Sequence, residues 1–245
     1  SVNNGSFSTS INTMPVKIEK TAAGPSHANI FASEFGTVVM SSFESMSATL
    51  KEEHWSLHGG APDVTCKSWP CKGSNPMSER NYNCDTLISK WFGKNAAAPP
   101  VLNMTGPVAF KRQLYQCMIG QTLEMKSNIE NRRSTSTFGT IVWQFNEIWP
   151  TGGWGSVEYG DGSRKGQLIG GRWKPLQYLY KRHLYADVLV ACSNDTCYVR
   201  NDGIEPFQGT ARIELIDVAS GGTRAPPTQF LEQSIDLPAG PGAVE

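Results

Sequence analysis

Hydrophobic and polar positions divide the chain into two parts with different patterns. Before about residue 185, continuous apolar runs alternate with segments of helical periodicity, whereas after it short alternating runs are separated by turns. Residues 28–35 form an apolar run that ends with Glu34 and Phe35 ahead of Gly36, which predicts a buried strand with a carboxylate at its C-terminal end. Residues 138–145 are aromatic, β-branched and almost uncharged, which predicts a second strand buried on both faces.

Two helices are predicted among these strands. Apolar residues recur at three- and four-residue spacing from 107 to 133, with Pro107 near the start, where proline is tolerated. Residues 173–184 predict a second, shorter helix with Trp173, Leu176, Leu179 and Tyr180 on its apolar side. Residues 57–105 are rich in Gly and Pro and are predicted to be a long loop insertion. The order strand, loop, helix, strand, loop, helix fits two βα units.

Three short strands are predicted after residue 185, at residues 187–192, 197–201 and 210–218. They resemble the start of a β-sandwich, although a complete sandwich needs about seven strands. We therefore predict a first domain at residues 1–184, with the cysteine-containing insertion at about 57–105, and a partial β-sandwich at residues 185–245.

Composition argues against two classes of binding partner, nucleic acids and membranes, and mildly favours carbohydrates. The chain has 22 basic and 22 acidic residues and no basic block, so nucleic-acid binding has no electrostatic support. It also has no apolar run of about 18 residues, so no membrane span is expected. The seven tryptophans are a mild indication of carbohydrate binding, because an indole face packs on the C–H face of a pyranose. Core packing remains the stronger expectation for any single tryptophan.

The cysteine pattern favours disulfides over a metal site. The six cysteines are Cys66, Cys71, Cys84, Cys117, Cys192 and Cys197. Cys192 and Cys197 flank four residues between two predicted strands, which is hairpin geometry and predicts a bridge. Two of the first three cysteines could also pair. Zinc is the alternative, but the spacing is irregular and lacks a paired C-x-x-C pattern.

Three N-x-S/T acceptors occur at Asn4, Asn103 and Asn194. Together with the cysteines they favour an oxidising, glycosylating compartment, so we expect a secreted or a lysosomal or vacuolar protein. His54 and His58 are four residues apart, which can indicate a metal, but the sequence offers no third ligand. No metal and no cofactor is therefore expected.

Two segments carry a resemblance to a known family. The sequence Ala-Ser-Glu-Phe-Gly at residues 32–36 resembles the segment around the nucleophile of family 2 glycoside hydrolases of the β-mannosidase type. Residues 139–150, which include Trp-Gln-Phe-Asn-Glu-Ile-Trp-Pro, resemble the last barrel strand of the same enzymes, and the similarity continues through residues 154–160 and 171–176. Residues 198–202 and 207–210 are similar to the opening of the immunoglobulin-like domain that follows the barrel. The resemblance runs in order over residues 31–218 and is poorest at 57–105.

The resemblance implies an α/β fold, the C-terminal part of a (β/α)8 TIM barrel followed by the beginning of an immunoglobulin-like β-sandwich. It places Glu34 at the end of strand 7 as the catalytic nucleophile and Trp143 at the end of strand 8 as a wall or floor of the sugar pocket. Asn146 and Glu147 could bind sugar hydroxyls or neighbouring loops. The substrate-binding residues predicted in this way are Trp143, Asn146, Trp149 and Trp154, and packing is an alternative role for each tryptophan.

The acid/base of the resembled family is a Glu that follows an Asn at the end of strand 4, and this chain has no such strand. Asn146 and Glu147 form an Asn-Glu pair, but they belong to the strand 8 motif. We therefore expect a partner, the N-terminal portion of the same enzyme separated by proteolytic processing, to supply barrel strands 1–6 and the acid/base. Because unpaired barrel edges are not tolerated in isolation, we expect the 245 residues alone to be neither stably folded nor active.

The function implied is a retaining exo-β-glycosidase, a β-mannosidase that hydrolyses terminal non-reducing β-D-mannose from oligosaccharides or glycoprotein glycans. One alternative is another family 2 exo-β-glycosidase, such as an exo-β-glucosaminidase or a β-glucuronidase. The other is a non-catalytic glycan-binding or structural subunit that keeps the fold.

Overall fold

The structure is a computed structural model that describes residues 17–20, 27–60, 76–77, 83–134, 137–148, 151–159, 171–193, 196–214 and 230–240. The chain divides into two compact units. We call residues 32–128 and 140–182 the helical unit, and residues 1–31, 129–139 and 183–245 the sheet unit. The domain boundary after residue 184 stays a prediction.

The elements are named in chain order. The strands are β1 (Lys17–Lys20), β2 (His27–Phe35), β3 (Thr137–Val142), β4 (Val188–Ser193), β5 (Thr196–Asn201), β6 (Phe207–Glu214) and β7 (Phe230–Leu237). The α-helices are α1 (Phe43–Met46), α2 (Cys84–Phe92), α3 (Pro99–Leu102), α4 (Pro107–Ser134) and α5 (Pro175–Leu179), and Tyr180–Leu184 continues α5 as a π-helical turn. Two 3-10 turns, Ser47–Thr49 and Glu52–His54, follow α1.

Strands β2 and β3, each of which was predicted from an apolar run, form a two-stranded sheet. Gly139 packs against the Phe31 ring, and the Trp143 amide donates to the Phe35 carbonyl at 2.8 Å. Because both positions advance together along the chain, the strands run parallel. The prediction that both strands are buried is wrong, since Phe31 is 50% and Ile141 54% exposed. The physical reason is that a sheet of two strands leaves one edge of each strand unpaired and its faces largely uncovered.

The long helix α4 confirms the periodicity found at residues 107–133. It begins at Pro107, and its apolar residues Phe110, Leu114 and Cys117 are buried in the core of the helical unit. Gln113 is also buried, and it holds the chain segments beside the helix. Its side-chain oxygen accepts from the Leu57 amide at 2.9 Å, and its Nε2 donates to three carbonyls of the segment that leads into the helix, those of Val101, Leu102 and Met104.

Residues 57–105, which were predicted to be a long loop insertion, contain the helices α2 and α3, and the insertion itself stays a prediction. Helix α2 buries Cys84, Leu87 and Ile88, whose spacing places them on one side of the helix. Cys84 forms a disulfide with Cys117 of α4. Residues 61–75, which contain Cys66 and Cys71, lie outside the described residues.

The second helix begins two residues later than its periodicity indicated. Its first residue is Pro175, so Trp173 precedes it and is 38% exposed. Leu176 and Tyr180 are buried as expected, whereas Leu179 is half-buried. Within the described ranges, no helix is both long and apolar enough to cross a membrane.

Among its described residues, the sheet unit contains the sheets β1-β5-β4 and β6-β7. Strands β4 and β5 form the hairpin predicted around Cys192 and Cys197, which face each other across it and form a disulfide. Strand β6 covers Phe207–Glu214, earlier than the 210–218 expected, and residues 215–229 lie outside the described part of the chain. Strands β1 and β7 were not predicted, and Ile235 of β7 belongs to the small apolar core of this unit.

Candidate active site

Glu34 lies at the C-terminal end of β2 and is exposed. The next residue, Phe35, accepts the hydrogen bond from the Trp143 amide, so the ends of β2 and β3 meet directly beside Glu34. Since β2 and β3 are parallel, their C-terminal ends lie at the same edge of the sheet. Active-site groups of parallel α/β barrels occupy that edge.

Gly36 brings two predicted sugar-binding tryptophans to this strand end. A Cβ atom on Gly36 would lie 2.0 Å from the Trp143 carbonyl oxygen and 2.9 Å from Cδ1 of the Trp154 ring. Only a glycine permits this approach. Trp143 is 48% exposed and Trp154 is half-buried, and the Trp143–Gln144 peptide bond is cis. The structure therefore places the backbone that follows Glu34 against both tryptophans.

The segment after Trp143 is held in a small ladder. Val157 bridges Asn146 in parallel on one side and Trp173 in antiparallel on the other. Directly opposed residues in such ladders point to the same face. Asn146 and Trp173 are exposed and Val157 is half-buried, so this face is open to solvent. The remaining predicted site residues Trp149, Asn4 and Asn194 lie outside the described residues.

The opposite face of this ladder buries charge. Glu147 and Lys174 form an ion pair, and both side chains are fully buried. Burial raises the pKa of the Glu147 carboxyl, and the Lys174 ammonium opposes that rise. Burial likewise lowers the pKa of Lys174, against the attraction of Glu147. Glu147, which the sequence offered as a possible sugar ligand, is therefore turned toward neighbouring segments of the protein.

A second buried carboxylate, Glu158, ties this ladder to the start of α1. It accepts from the Ser42 amide at 3.2 Å, the Ser42 hydroxyl at 2.7 Å and the Ser45 hydroxyl at 2.6 Å. Neither Lys174 nor Glu158 was identified from the sequence. The only available signal was their position in the segments that continue the family resemblance.

The two histidines considered as metal ligands have other roles. His58 is buried, with Nδ1 2.7 Å from the Asn103 side-chain oxygen and Nε2 2.8 Å from Asp85. His54 Nδ1 lies 3.2 Å from the Gly59 carbonyl. In the described part of the chain, no group of three or more His, Cys, Asp or Glu residues could hold a metal ion. Asn103 is half-buried, and its glycosylation stays a prediction.

Comparison with known proteins gives a consistent set of relatives, although no protein-family model matches the chain. The β-mannosidase of Bos taurus is 29% identical over 169 residues, which cover 65% of this chain and 16% of that protein. β-Mannosidase A of Neosartorya fischeri is 26% identical over 207 residues, which cover 80% of this chain and 21% of that protein. The chain thus spans about a fifth of the length of these relatives.

A solved structure shares the fold. The β-D-mannosidase of Dictyoglomus thermophilum matches with a TM-score of 0.50 and 17% identity, over 85% of this chain and 22% of that chain. At this identity the likeness concerns the fold alone. The relatives and the shared fold agree with the resemblance carried by the motifs around Glu34 and Trp143, and the chain is similar to β-mannosidases in sequence and in fold.

Proposed function

We propose that this chain supplies the nucleophile, Glu34, of a retaining β-mannosidase that removes terminal non-reducing β-D-mannose from oligosaccharides or glycoprotein glycans. The observation that carries the proposal is the exposed Glu34 carboxylate at the edge where β2 and β3 end, beside the half-exposed Trp143. The relatives support the choice of sugar, since both are named β-mannosidases.

The chemistry requires two carboxyl groups about 5–5.5 Å apart. Ionised Glu34 attacks the anomeric carbon while a second carboxylic acid protonates the departing oxygen. The resulting glycosyl ester on Glu34 is then hydrolysed by a water that the second group deprotonates, so the anomeric configuration is retained. A half-exposed indole such as that of Trp143 can pack against the apolar face of the sugar ring during both steps.

The second carboxyl group is proposed to come from outside this chain. Glu147 and Glu158, the carboxylates on the ladder that follows Trp143, are buried and engaged with Lys174 and with the serines of α1. Neither is free to protonate a leaving group. We assign the acid/base to the N-terminal portion of the same enzyme, which would also supply barrel strands 1–6.

The exposed apolar residues around the end of β3 support this partner. Ile141, Phe145 and Ile148 are each more than half exposed, and burying such side chains is worth about 1.5–3 kcal/mol apiece. Further barrel strands would cover them, which supports a complete (β/α)8 barrel in the assembled protein, followed by an immunoglobulin-like domain. The disulfides in α2–α4 and β4–β5 support a secreted or a lysosomal or vacuolar location.

Covalent trapping tests the nucleophile. The assembled protein, meaning this chain together with the portion that carries the acid/base, is treated with a 2-deoxy-2-fluoro-β-mannosyl fluoride and mapped by peptide mass spectrometry. The label is expected on Glu34, and a label on any other residue refutes the assignment. Glu34→Ala should be inactive and should form α-mannosyl azide when azide is added. The exposed Glu52→Gln serves as the matched control and should behave as the parent does.

Substrate preference tests the sugar. The assembled protein should hydrolyse an aryl β-mannoside faster than the corresponding β-glucosaminide or β-glucuronide. Preference for either of the latter would favour another exo-β-glycosidase, and glycan binding without turnover of any substrate would favour a non-catalytic subunit. Expression of the 245 residues alone tests the partner, because a cooperative melt with full activity would exclude the need for it.

A further inference from the structure

We infer that Glu147 and Lys174 are positioning residues for the sugar pocket, and that their buried ion pair fixes the segment that carries Trp143 and Asn146. The inference rests on the proposed function, and it takes Trp143 and Asn146 as the pocket residues that the sequence resemblance predicts. It adds a role for a charged pair that lies behind the pocket and cannot contact the sugar.

The first step is the backbone connection between the three segments. The Ser156 amide donates to the Phe145 carbonyl at 2.9 Å, and the Glu147 amide donates to the Val157 carbonyl at 2.8 Å. On the other side, the Lys174 amide donates to the Ser156 carbonyl at 2.9 Å. The segment after Trp143 is therefore bonded, through one intervening segment, to Lys174, the residue that directly precedes α5.

The second step is the alternation of faces. Asn146, Val157 and Trp173 point to the open face, so their neighbours Glu147 and Lys174 point to the buried one. The side chains of these adjacent residues therefore point to opposite faces, because Asn146 faces solvent while Glu147 is buried in the protein. A change in the position of Glu147 must move Asn146 with it.

The third step is the close packing around the carboxylate. A Cβ atom on Gly153 would lie 1.8 Å from Oε2 of Glu147, and one on Gly155 would lie 2.6 Å from the amide nitrogen of Glu147. Only glycine at these two positions leaves room for the Glu147 backbone and carboxylate.

The fourth step is electrostatic. Lys174 is attracted by both Glu147 and Glu158, and Glu158 is itself held by Ser42 and Ser45. Moving Glu147 away from Lys174 would leave charge buried without its partner, which is strongly unfavourable. The Glu147–Lys174 ion pair therefore resists displacement of the segment that begins at Trp143. Two apolar side chains in its place would leave no unpaired charge when they separate and would resist less.

The test separates positioning from simple stability. Glu147→Gln is compared in the assembled protein with Glu130→Gln, a control in the sheet unit whose buried carboxylate pairs with His183 Nε2 at 2.9 Å. For an aryl β-mannoside, Glu147→Gln should raise KM about tenfold with a smaller change in kcat, because it weakens a surface that holds the sugar in both ground and transition states. A loss of folded protein alone lowers apparent kcat and leaves KM unchanged, and that is the behaviour expected of Glu130→Gln.

An unchanged KM for Glu147→Gln would overturn the inference. If that variant does not fold, the double variant Glu147→Gln/Lys174→Met, which removes both charges of the pair and leaves Glu158 hydrogen-bonded to Ser42 and Ser45, is measured instead, and the same rise in KM is expected. An unchanged KM in the double variant would equally overturn it. Labelling of Glu34 in the parent keeps the two proposals apart, since a label on another residue refutes the proposed nucleophile, whereas normal labelling with an unchanged KM refutes only the positioning role.

Discussion

Replacement of Gly36 by alanine would perturb the candidate site while leaving every predicted sugar-binding residue in the sequence. The new Cβ atom would lie 2.0 Å from the Trp143 carbonyl oxygen, whereas real Cβ atoms essentially never approach a neighbour closer than 3.0 Å. The obstructing atom belongs to the backbone, so rotation of a side chain cannot relieve the contact. The ends of β2 and β3 must separate, and Trp143 must move away from Glu34.

The size of the effect follows from this geometry. A separation of about 1 Å is the minimum that relieves the contact, and a misplacement of that size can cost about 100-fold in rate. Overpacking of this kind also destabilises the fold by about 1–3 kcal/mol. Gly36→Ala should therefore lose about 100-fold in kcat/KM while remaining folded.

The assay is hydrolysis of an aryl β-mannoside by the assembled protein, with thermal unfolding measured alongside. Gly93→Ala is the control, because Gly93 has a φ of 88° and no atom within 4 Å of its added Cβ. That control should lose about 1 kcal/mol of stability from backbone strain and keep its activity. If Gly36→Ala retained kcat/KM within about threefold of the parent, the packing of Trp143 against β2 would not control the site, and the reasoning would fail.

Three further predictions concern stability. Lys174→Met leaves the Glu147 carboxylate buried and unpaired, and should cost about 3–5 kcal/mol at pH 7. Because burial raises the pKa of Glu147 in the folded state, the cost should develop as pH rises above the unfolded value of 4.5 and shrink below it, and an equal loss in urea unfolding at pH 4 and pH 7 would contradict this. Removal of the Cys84–Cys117 bridge by a double alanine substitution should cost about 3–4 kcal/mol, since it closes a separation of 33 residues. The disulfide between β4 and β5 closes a separation of only five residues, so its removal should cost about 2 kcal/mol of unfolding free energy. A loss larger than that of the Cys84–Cys117 bridge would argue that loop closure does not determine the stabilisation.

The local sequence pattern was sufficient to predict the strands around Glu34 and Trp143 and the helix that begins at Pro107. Each of these elements shows its pattern of apolar residues within its own segment. It failed at α2, where nine residues with a single buried side stand between Gly- and Pro-rich stretches. The apolar side of α2 is buried by contact with α4, and the sequence of α2 alone does not indicate that contact. The exposure of Ile141 and Phe145 was not predicted, because an apolar run indicates a strand that is buried in a complete sheet. In this structure β3 pairs only with β2 among the described strands.

The candidate site divides in the same way. Glu34 and Trp143 could be identified because each lies in a short motif. The pairing of Glu147 with Lys174 could not be identified, because 27 residues separate them along the chain. Charged side chains are mostly exposed, so sequence reasoning assigns them to the surface unless a partner is visible. The isolated bridges between Asn146, Val157 and Trp173 place Lys174 next to Glu147. Single bridges of this kind leave no periodic pattern in the sequence.

The disulfide between α2 and α4 also determines how the helical unit would respond to proteolysis. Lys94 and Asn95 form an exposed turn between Cys84 and Cys117, the kind of loop tip that proteases cut first. A cut there would leave both pieces covalently joined by the bridge, with the apolar side of α2 still packed in the core. The nicked protein would migrate as one species on a non-reducing gel and as two after reduction, so fragments seen under reducing conditions need not mean that the core has come apart.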